Sequence, residues 1–379
     1  MSTTSKTYPA YKDSGVPWLG QVPEGWEVKP VKYISTYNDE ALSETTDPDL
    51  MLNYVDISSV RLVEGIQKIE QVEFEKAPSR ARRVVREGDT IVSTVRTYLK
   101  AIAPVRNPVE NMIVSTGFAV IRPDQTMSPD FLGYFIQSEG FVGEVVSKST
   151  GVSYPAINPS DLVAISGVRP PLEEQTAIAR FLDTKTAEID ALIAKKEALL
   201  RLLAEQRTAL ITHAVTKGLD PTAPMKPSGI DWLGDVPEGW EVLPFTKYLS
   251  DKADYRGKTP EKVSDGVFLV TAKNVRMGFI DYECSKEYVR EDRYEVIMRR
   301  GIPELGDILF TTEAPLGNVA QVDRTDVALA QRIIRFRLRP NLFTPRFSLY
   351  AMMSGLFQSQ LSALSTGSTA EGIKASIVC

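Results

Sequence analysis

Arginine side chains are concentrated in two short stretches of the sequence. The two groups, each of four arginines, are Arg80, Arg82, Arg83 and Arg86, and Arg332, Arg335, Arg337 and Arg339. Guanidinium groups bind phosphate oxygens and the edges of nucleic-acid bases. Each group therefore predicts either a face that contacts phosphates or a solvated basic face. The formal net charge of −5 argues against a general affinity for polyanions, so any such contact depends on local charge.

Residues that carry catalysis or hold cofactors form no recognisable pattern. The sequence contains no Gly-x-x-x-x-Gly-Lys-Ser/Thr loop for nucleotide phosphates and no Gly-x-Gly-x-x-Gly turn for a dinucleotide. Its one histidine, His213, has no evident cysteine or serine partner. Cys284 and Cys379 lack the spacing of a zinc site or a disulfide framework. We therefore expect no catalytic residues and no metal in this chain.

Length and composition indicate a globular protein of two domains. A chain of 379 residues exceeds the roughly 100 to 200 residues of an ordinary domain, and its hydrophobic fraction of 43% is typical of folded proteins. No stretch approaches the ~18 apolar residues that a membrane span needs, and the first residues lack the apolar core of a signal peptide. We expect a cytoplasmic protein.

One segment of the sequence occurs twice. Gly15-Val-Pro-Trp-Leu-Gly-Gln-Val-Pro-Glu-Gly-Trp-Glu-Val28 returns as Gly229-Ile-Asp-Trp-Leu-Gly-Asp-Val-Pro-Glu-Gly-Trp-Glu-Val242. Two shorter pairs follow in the same order, Gly88-Asp89 with Gly306-Asp307, and Ser149-Thr150-Gly151 with Ser365-Thr366-Gly367. The residues between these landmarks differ almost completely. The halves should therefore share one fold and differ in what that fold presents.

Short apolar runs between Gly, Pro, Asn and Asp residues predict an α+β fold of two tandem mixed α/β domains. The predicted strands are 51–57, 90–95, 118–121, 268–271 and 308–312. The predicted helices of the two domains are 129–147 and 345–362. We place the first domain at 1–160, a helix and linker at 161–225, and the second domain at 226–379.

From residue 172 to about residue 214 the sequence lacks Gly and Pro, which predicts one long helix. Pro170 and Pro171 suit its entry, and Gly218 follows its end. Apolar residues recur along one face at spacings of three, four and seven, and they are Ile178, Leu182, Ile189, Leu192, Leu199, Leu203 and Leu210. This face predicts either helix pairing of the coiled-coil type or a core helix packed on its own domains.

Together these motifs resemble those of the specificity subunits of type I restriction-modification systems. The resemblance rests on Trp-Leu-Gly-x-Val-Pro-Glu-Gly-Trp-Glu-Val at the start of each half, on Ser-Thr-Gly near the end of each, and on Pro170-Pro-Leu-Glu-Glu-Gln175 at the entry of the long helix. It extends to Ala177-Ile-Ala-Arg-Phe-Leu-Asp183 within that helix. The resemblance covers nearly the whole chain and implies a non-catalytic, DNA-binding protein of a phage-defence system.

The resemblance implies a division of labour. Each domain would read one half of a split site on double-stranded DNA, while the long helix sets the spacing and docks methyltransferase (modification) subunits. Those subunits would methylate adenine with S-adenosylmethionine, and restriction and translocase subunits would use ATP and magnesium, so this chain would hold no cofactor. The alternative is a scaffold or regulatory remnant of the family that does not read DNA. An independent nuclease or methyltransferase would need a catalytic set that the sequence does not display.

Base readout needs side chains such as Arg, Lys, Asn and Gln, whereas basic and hydroxyl groups contact phosphates. Loops displayed by a rigid frame are where such residues lie. In the first domain the candidate DNA-binding residues are Arg80, Arg82, Arg83, Arg96, Tyr98, Lys100, Ser153 and Tyr154. In the second they are Lys258, Lys273, Asn274, Arg276, Thr312, Asn318, Gln331, Arg332 and Thr369. The repeated tryptophans, predicted to anchor the cores, are Trp18, Trp26, Trp232 and Trp240.

The family that this chain resembles has a second long helix after the second domain, antiparallel to the central one. The sequence through Cys379 contains no such helix. An apolar face without a partner favours association. We therefore expect self-association through residues 172–214, or pairing with a helix of another subunit.

Overall fold

The computed structural model describes residues 8–255, 260–339, 341–365 and 372–373. The chain divides into two compact units, Met1–Leu192 and Ile193–Cys379. The division falls inside the long helix, whose start packs within the first unit and whose end packs within the second. Our sequence-based bounds instead set the helix apart as a segment between the domains.

The first unit is built on two four-stranded sheets. Its strands are β1 (Tyr11–Asp13), β2 (Gln21–Pro23), β3 (Glu27–Pro30), β4 (Ser35–Tyr37), β5 (Met51–Val55), β6 (Val60–Arg61), β7 (Gly65–Ile66), β8 (Glu70–Glu73), β9 (Ala81–Val84), β10 (Thr90–Ser93), β11 (Ile102–Pro104), β12 (Met112–Ser115), β13 (Phe118–Pro123) and β14 (Ser166–Arg169). One sheet is antiparallel with the order β11-β10-β13-β4. The other has the order β8-β5-β12-β9, in which β5 and β12 run parallel. Runs of β-branched residues in β10, β12 and β13 are buried and form the core.

The predicted helix 129–147 is wrong as a single element, because the structure contains two helices, α1 (Pro129–Gln137) and α2 (Glu139–Ser147). Ser138 separates them with φ −63° and ψ 146°, and its hydroxyl accepts a hydrogen bond from the amide of Phe141. A serine in this extended conformation is a favoured N-cap, so it starts a second helix. A short helix, α3 (Pro159–Val163), follows.

The predicted long helix is confirmed as α4 (Leu172–Lys217), which has 46 residues. Gln175 fixes its start to the first unit, since this buried side chain accepts a hydrogen bond from the amide of Ser128 and donates to the carbonyls of Thr126 and Pro170. None of the helices in the described part of the chain is long and apolar enough to span a membrane.

The predicted apolar face of α4 has two environments. Ile178 packs against the core of the first unit, and Leu182 is half-buried. The remaining members are 50% to 65% exposed, and they are Ile189, Leu192, Leu199, Leu203 and Leu210. The packing of Ile178 fits the prediction of a core helix, whereas the exposed members match that of a pairing helix.

The second unit repeats the plan of the first. Its strands are β15 (Met225–Pro227), β16 (Asp235–Pro237), β17 (Leu249–Asp254), β18 (Val267–Val270), β19 (Val275–Arg276), β20 (Phe279–Ile280), β21 (Tyr288–Val289), β22 (Ile308–Thr312), β23 (Leu316–Gln321), β24 (Val327–Leu329) and β25 (Ile333–Leu338). The antiparallel sheet has the order β17-β25-β22-β23, and a second sheet has the order β21-β18-β24 with β18 and β24 parallel. Strands β10 and β13 of the first unit therefore correspond to β22 and β25, and β5 and β12 correspond to β18 and β24.

The helices of the second unit also repeat those of the first. They are α5 (Phe245–Tyr248), α6 (Tyr294–Ile297), α7 (Pro345–Met353) and α8 (Gly355–Leu364). The predicted helix 345–362 is wrong as a single element for the same reason as before. Ser354, with φ −62° and ψ 145°, caps α8 by accepting a hydrogen bond from the amide of Phe357.

The two Gly-Asp pairs form one structural device, which we call the frame turn (residues 86–89 and 304–307). In each, the buried aspartate accepts a hydrogen bond from the backbone amide three residues earlier, at 2.8 Å for Asp89 and 2.9 Å for Asp307. Each also accepts two hydrogen bonds from an arginine of the neighbouring strand, Arg122 in β13 and Arg337 in β25. Charge-assisted bidentate pairs of this kind are strong and geometrically specific. The repeated dipeptide therefore joins the turn before β10 to β13 in the first unit, and the turn before β22 to β25 in the second.

Three of the repeated tryptophans pack as predicted. Trp18 and Trp26 lie against the core of the first unit, and the ring of Trp240 lies 5.9 Å from that of Phe347. Trp232 differs, because 39% of it is exposed. The prediction of a core anchor is wrong for Trp232.

Candidate nucleic-acid interface

In the first unit, the loops that follow β10 and β12 and the loop before α3 form one surface, which we call the first edge (residues 94–100, 115–117 and 149–157). Thr94 joins them, because its amide donates to the carbonyl of Gly117 at 2.8 Å and its carbonyl accepts from the amide of Ile157 at 2.9 Å. Val95 and Ala156 then pair as an antiparallel bridge. The structure therefore brings together candidate residues that lie far apart in the sequence.

The first edge contains a single turn of 3-10 helix, Thr97–Leu99, between two left-handed residues. Arg96 has φ 50° and Lys100 has φ 52°, and both side chains are exposed. Non-glycine residues rarely adopt this conformation, which costs free energy and is enriched at functional sites. The buried Thr97 hydroxyl donates to the hydroxyl of Ser149 at 2.7 Å. This bond fixes the buried side of the turn, while Tyr98, which is 52% exposed, lies on the surface.

A cation and an aromatic ring are stacked on the first edge. The guanidinium of Arg96 lies 4.8 Å from the ring centroid of Tyr154, and that tyrosine is 65% exposed. Ser153 is also exposed. Among the described residues no carboxylate forms an ion pair with Arg96 or Lys100, whereas Arg80 pairs with Asp56 at 2.9 Å. The edge therefore presents two positive charges that the described chain does not neutralise.

The first arginine group does not form one face. Arg80 is exposed beside the first edge, where its carbonyl accepts a hydrogen bond from the amide of Thr116. Arg82 is half-buried with its guanidinium 4.6 Å from the ring centroid of Phe74. Arg83 points to the opposite face of β9, since side chains alternate along a strand, and burial lowers its pKa below the usual value. Only Arg80 of these three candidates adjoins the first edge.

Sequence reasoning missed the residues that hold Arg80. The hydroxyl of Tyr54 accepts a hydrogen bond from Arg80 at 3.3 Å, and Asp56 supplies the ion pair. Burial raises the pKa of Asp56, but hydrogen bonds from Ser58 and Tyr54 together with the charge of Arg80 lower it by more, so that the net shift is downward. The parallel pairing of β5 and β12 places these residues beside the first edge, and no local sequence pattern indicates that pairing.

In the second unit, the corresponding surface is the second edge (residues 311–315, 331–332 and 372–373). The amide of Thr312 donates to the carbonyl of Arg332 at 2.9 Å, and its carbonyl accepts from the amide of Ile373 at 3.0 Å. Glu313 and Gly372 pair as an antiparallel bridge. These contacts match those of Thr94 with Gly117 and Ile157, so the two edges are built on equivalent backbone.

The charge of the second edge differs from that of the first. Arg332 has φ 73° and is exposed, but its Nε lies 2.6 Å from a carboxylate oxygen of Glu313. Gln331 beside it is half-buried. Position 332 corresponds to Gly117 of the first unit, so this cation stands where the first edge has no side chain. The second edge therefore presents a neutralised pair.

Three candidate residues of the second domain use their side chains in hydrogen bonds within the chain. Asn274 is fully buried, its side-chain oxygen accepting from Thr271 and its nitrogen donating to the carbonyls of Asp281 and Ser285. Thr312 is buried with its hydroxyl donating to a backbone carbonyl, and the half-buried Asn318 donates its amide to a carbonyl at 2.8 Å. This geometry gives the three side chains structural roles and does not support their predicted contact with DNA.

Of the remaining candidates of the second domain, two are exposed and two lie outside the described residues. Lys273 is exposed. Arg276 is exposed and lies 3.6 Å from Asp281. Lys258 and Thr369 lie outside the described residues.

The members of the second arginine group other than Arg332 bind groups of the chain itself, so the four do not form one free basic face. Arg335 is fully buried and is paired with Asp251 and Asp307. Burial lowers the pKa of this guanidinium, but its bonds to the two carboxylates raise it above the usual value. Arg337 binds Asp307 in the frame turn, and Arg339 donates to a backbone carbonyl at 2.9 Å.

No protein-family model matches the chain. Two curated proteins are similar over most of their length. The type I restriction enzyme MjaVIII specificity subunit of Methanocaldococcus jannaschii is 24% identical over 92% of this chain and 79% of that protein. The type I restriction enzyme EcoKI specificity subunit of Escherichia coli is 22% identical over 93% and 77%. The crystal structure of the HsdS subunit from Thermoanaerobacter tengcongensis is 26% identical, with a TM-score of 0.50 over 90% of this chain and 81% of that one.

Proposed function

We infer that this chain is a type I restriction specificity subunit, a protein that selects the DNA sequence on which its complex acts. The similarity to curated specificity subunits extends over more than nine-tenths of the chain. The fold, with a long helix between two strand-rich units, is that of a solved HsdS structure. The scaffold alternative has no comparable support.

The observation that best supports DNA reading is the duplicated frame with unlike edges. Equivalent backbone hydrogen bonds anchor Thr94 and Thr312, yet the side chains that follow differ in charge and shape. Two readers of two different half-sites need this combination, because the frame fixes the register on DNA while the edges select bases. Each unit would then recognise one half of a split site on double-stranded DNA.

The partners and their cofactors belong to the same proposal. Methyltransferase subunits that use S-adenosylmethionine, and restriction and translocase subunits that use ATP and magnesium, would supply the chemistry in the cytoplasm. Helix α4 would set the spacing of the half-sites and dock the methyltransferase subunits. The exposed residues from Ile189 to Leu210 would pack on another helix, either of a second copy or of another subunit.

The test of DNA reading is genome-wide adenine methylation by single-molecule sequencing. Cells would express this chain together with its cognate modification subunit, and cells with the modification subunit alone are the control. A new split motif that depends on this chain is the expected result. Soluble, folded chain that adds no motif would contradict the proposal.

The helix face has its own test, because pairing of the exposed leucines between two copies would produce a dimer. Sedimentation of the purified chain at micromolar concentration should show a dimer, and Leu199→Glu together with Leu203→Glu should restore the monomer. A wild-type chain that sediments only as a monomer rules out self-association and leaves DNA reading untouched.

A further inference from the structure

We propose that Arg96 reads a guanine base in the half-site of the first unit, and that Tyr154 is the positioning residue that holds its guanidinium for this contact. The proposal rests on the proposed function and adds the chemical identity of one base. Arginine is the side chain that pairs with the O6 and N7 atoms of guanine in a bidentate manner. The geometry and the charge of the first edge both point to Arg96.

The backbone of Arg96 is fixed on both sides. Thr94, two residues earlier, is tied to Gly117 and Ile157 by backbone hydrogen bonds, and Thr97, which follows, is tied to Ser149. Arg96 itself adopts the left-handed conformation with φ 50°. The fixed backbone sets the direction in which the side chain of Arg96 begins, and base reading depends on such positioning more than a phosphate contact does.

The guanidinium of Arg96 also has a contact that orients it. Its position 4.8 Å from the ring centroid of Tyr154 occupies one face of the group and leaves its N–H edges free. Tyr154 is 65% exposed, so the stack stands on the surface rather than in a core. Holding the planar fork reduces the rotamer freedom that is lost when it binds a base edge.

Other exposed arginines near the edges are already paired with carboxylates. Arg80 lies 2.9 Å from Asp56, Arg332 lies 2.6 Å from Glu313, and Arg276 lies 3.6 Å from Asp281. Within the described ranges Arg96 has an aromatic partner and no acidic one. Its donors are therefore available to an acceptor on another molecule, and guanine offers two acceptors at the right spacing.

Arg96→Lys tests the proposal because it keeps the charge and removes the bidentate fork. In cells that express the chain with its modification subunit, the wild-type motif should contain a guanine in the half-site read by the first unit. Arg96→Lys should relax that one position by about tenfold or more, with the other half-site unchanged. Tyr154→Ala should relax the same position, and Tyr154→Phe, which keeps the ring, should retain it.

Arg324 provides the matched control. It also stacks on a tyrosine, with 5.2 Å to the ring centroid of Tyr282, but it pairs with Asp326 at 2.5 Å. Arg324→Lys should leave the motif unchanged. Circular dichroism and gel filtration of each variant identify any that fails to fold, and Tyr154→Phe keeps the test usable if Tyr154→Ala does not fold.

Two results overturn the proposal. One is a wild-type split motif with no G·C pair in either half-site. The other is a folded Arg96→Lys variant whose motif equals that of the wild type, which would make Arg96 a phosphate contact. Both outcomes leave the proposed function standing, whereas a wild-type chain that directs no methylation contradicts the proposed function itself.

Discussion

The two edges rest on equivalent backbone and differ in the charge that they present. On the first edge Arg96 and Lys100 have no carboxylate partner among the described residues, while on the second edge Arg332 is paired with Glu313. The backbone beneath is matched, since Thr94 and Thr312 make equivalent hydrogen bonds. The frame therefore fixes where an edge lies and leaves its charge free to vary.

A second difference lies inside the frame itself. Position 120 of the first unit is a buried valine, and the corresponding position in β25 is the buried Arg335. The second unit therefore holds an extra charge in its core, which Asp251 and Asp307 neutralise. The aspartate of the frame turn thus binds two arginines in the second unit and one in the first.

Removing the aspartate of the frame turn should give the largest difference in stability between the two units. Asp307→Ala leaves Arg335 buried with one carboxylate fewer, which should destabilise the second unit by about 3 to 5 kcal/mol. Asp89→Ala should cost the first unit less, about 1 to 3 kcal/mol, because Arg122 is 22% exposed and keeps Glu40. Hydrogen exchange of the amides in β13 and β25 measures each unit separately. Asp190→Ala, on the exposed side of α4, is the control, and equal costs for the two variants would refute the difference.

The helix caps should show where the units are alike. Ser138→Ala and Ser354→Ala each remove a hydroxyl that accepts a hydrogen bond at the start of a helix. Each should lower the free energy of unfolding of its unit by about 1 kcal/mol. Substitution by glycine, which costs only a few tenths at this position, is the matched variant. Costs that differ severalfold between Ser138 and Ser354 would break the equivalence of the two frames.

Lys100→Gln should reduce the salt dependence of DNA binding. The ammonium of Lys100 is exposed and has no carboxylate partner among the described residues, and each contact with a phosphate contributes about 0.9 to the slope of log affinity against log salt concentration. Titration of the complex with DNA that contains its site, at several salt concentrations, measures this slope. Lys195→Gln, on an exposed stretch of α4, should leave it unchanged. A slope unaltered by Lys100→Gln would remove this lysine from the interface.

Glu313→Gln should make the second edge more like the first. Arg332 would lose the carboxylate that neutralises it, so affinity for DNA of any sequence should rise, by an amount below about 1 kcal/mol because exposed ion pairs are weak. The steepening of the salt slope is the readout. Glu64→Gln, at an exposed glutamate of the first unit, is the control. Unchanged affinity would mean that Arg332 does not face DNA.

Local patterns in the sequence predicted the elements that depend on local patterns. Strand Ile308–Thr312 and helix α4 follow from apolar runs and from the absence of Gly and Pro. The helix breaks at Ser138 and Ser354 were not predicted, because the apolar spacing continues across them. Each break has a serine that can act as an N-cap. A serine can also continue a helix, however, and apolar periodicity does not decide between the two outcomes.

Burial and charge pairing were not predictable from the sequence. Asn274 is a common base-reading residue type, yet it is buried by a loop that closes on Asp281 and Ser285. Arg335 belongs to a basic stretch, yet its partner Asp251 is distant along the chain. Both outcomes depend on contacts between remote segments, which composition and spacing do not specify. The pairing of segments 94–100 and 149–157 into one edge is of the same kind.

The closure of the frame at Thr94 and Thr312 has an evolutionary consequence. The hydrogen bonds that seal each edge join backbone atoms, apart from the threonine hydroxyls. Side chains beyond the threonines can therefore be replaced, by mutation or by recombination between genes, without disturbing the bonds that keep the unit folded. Under the proposed function, replacing a few of these side chains would change the half-site that a unit reads and leave its backbone closure in place.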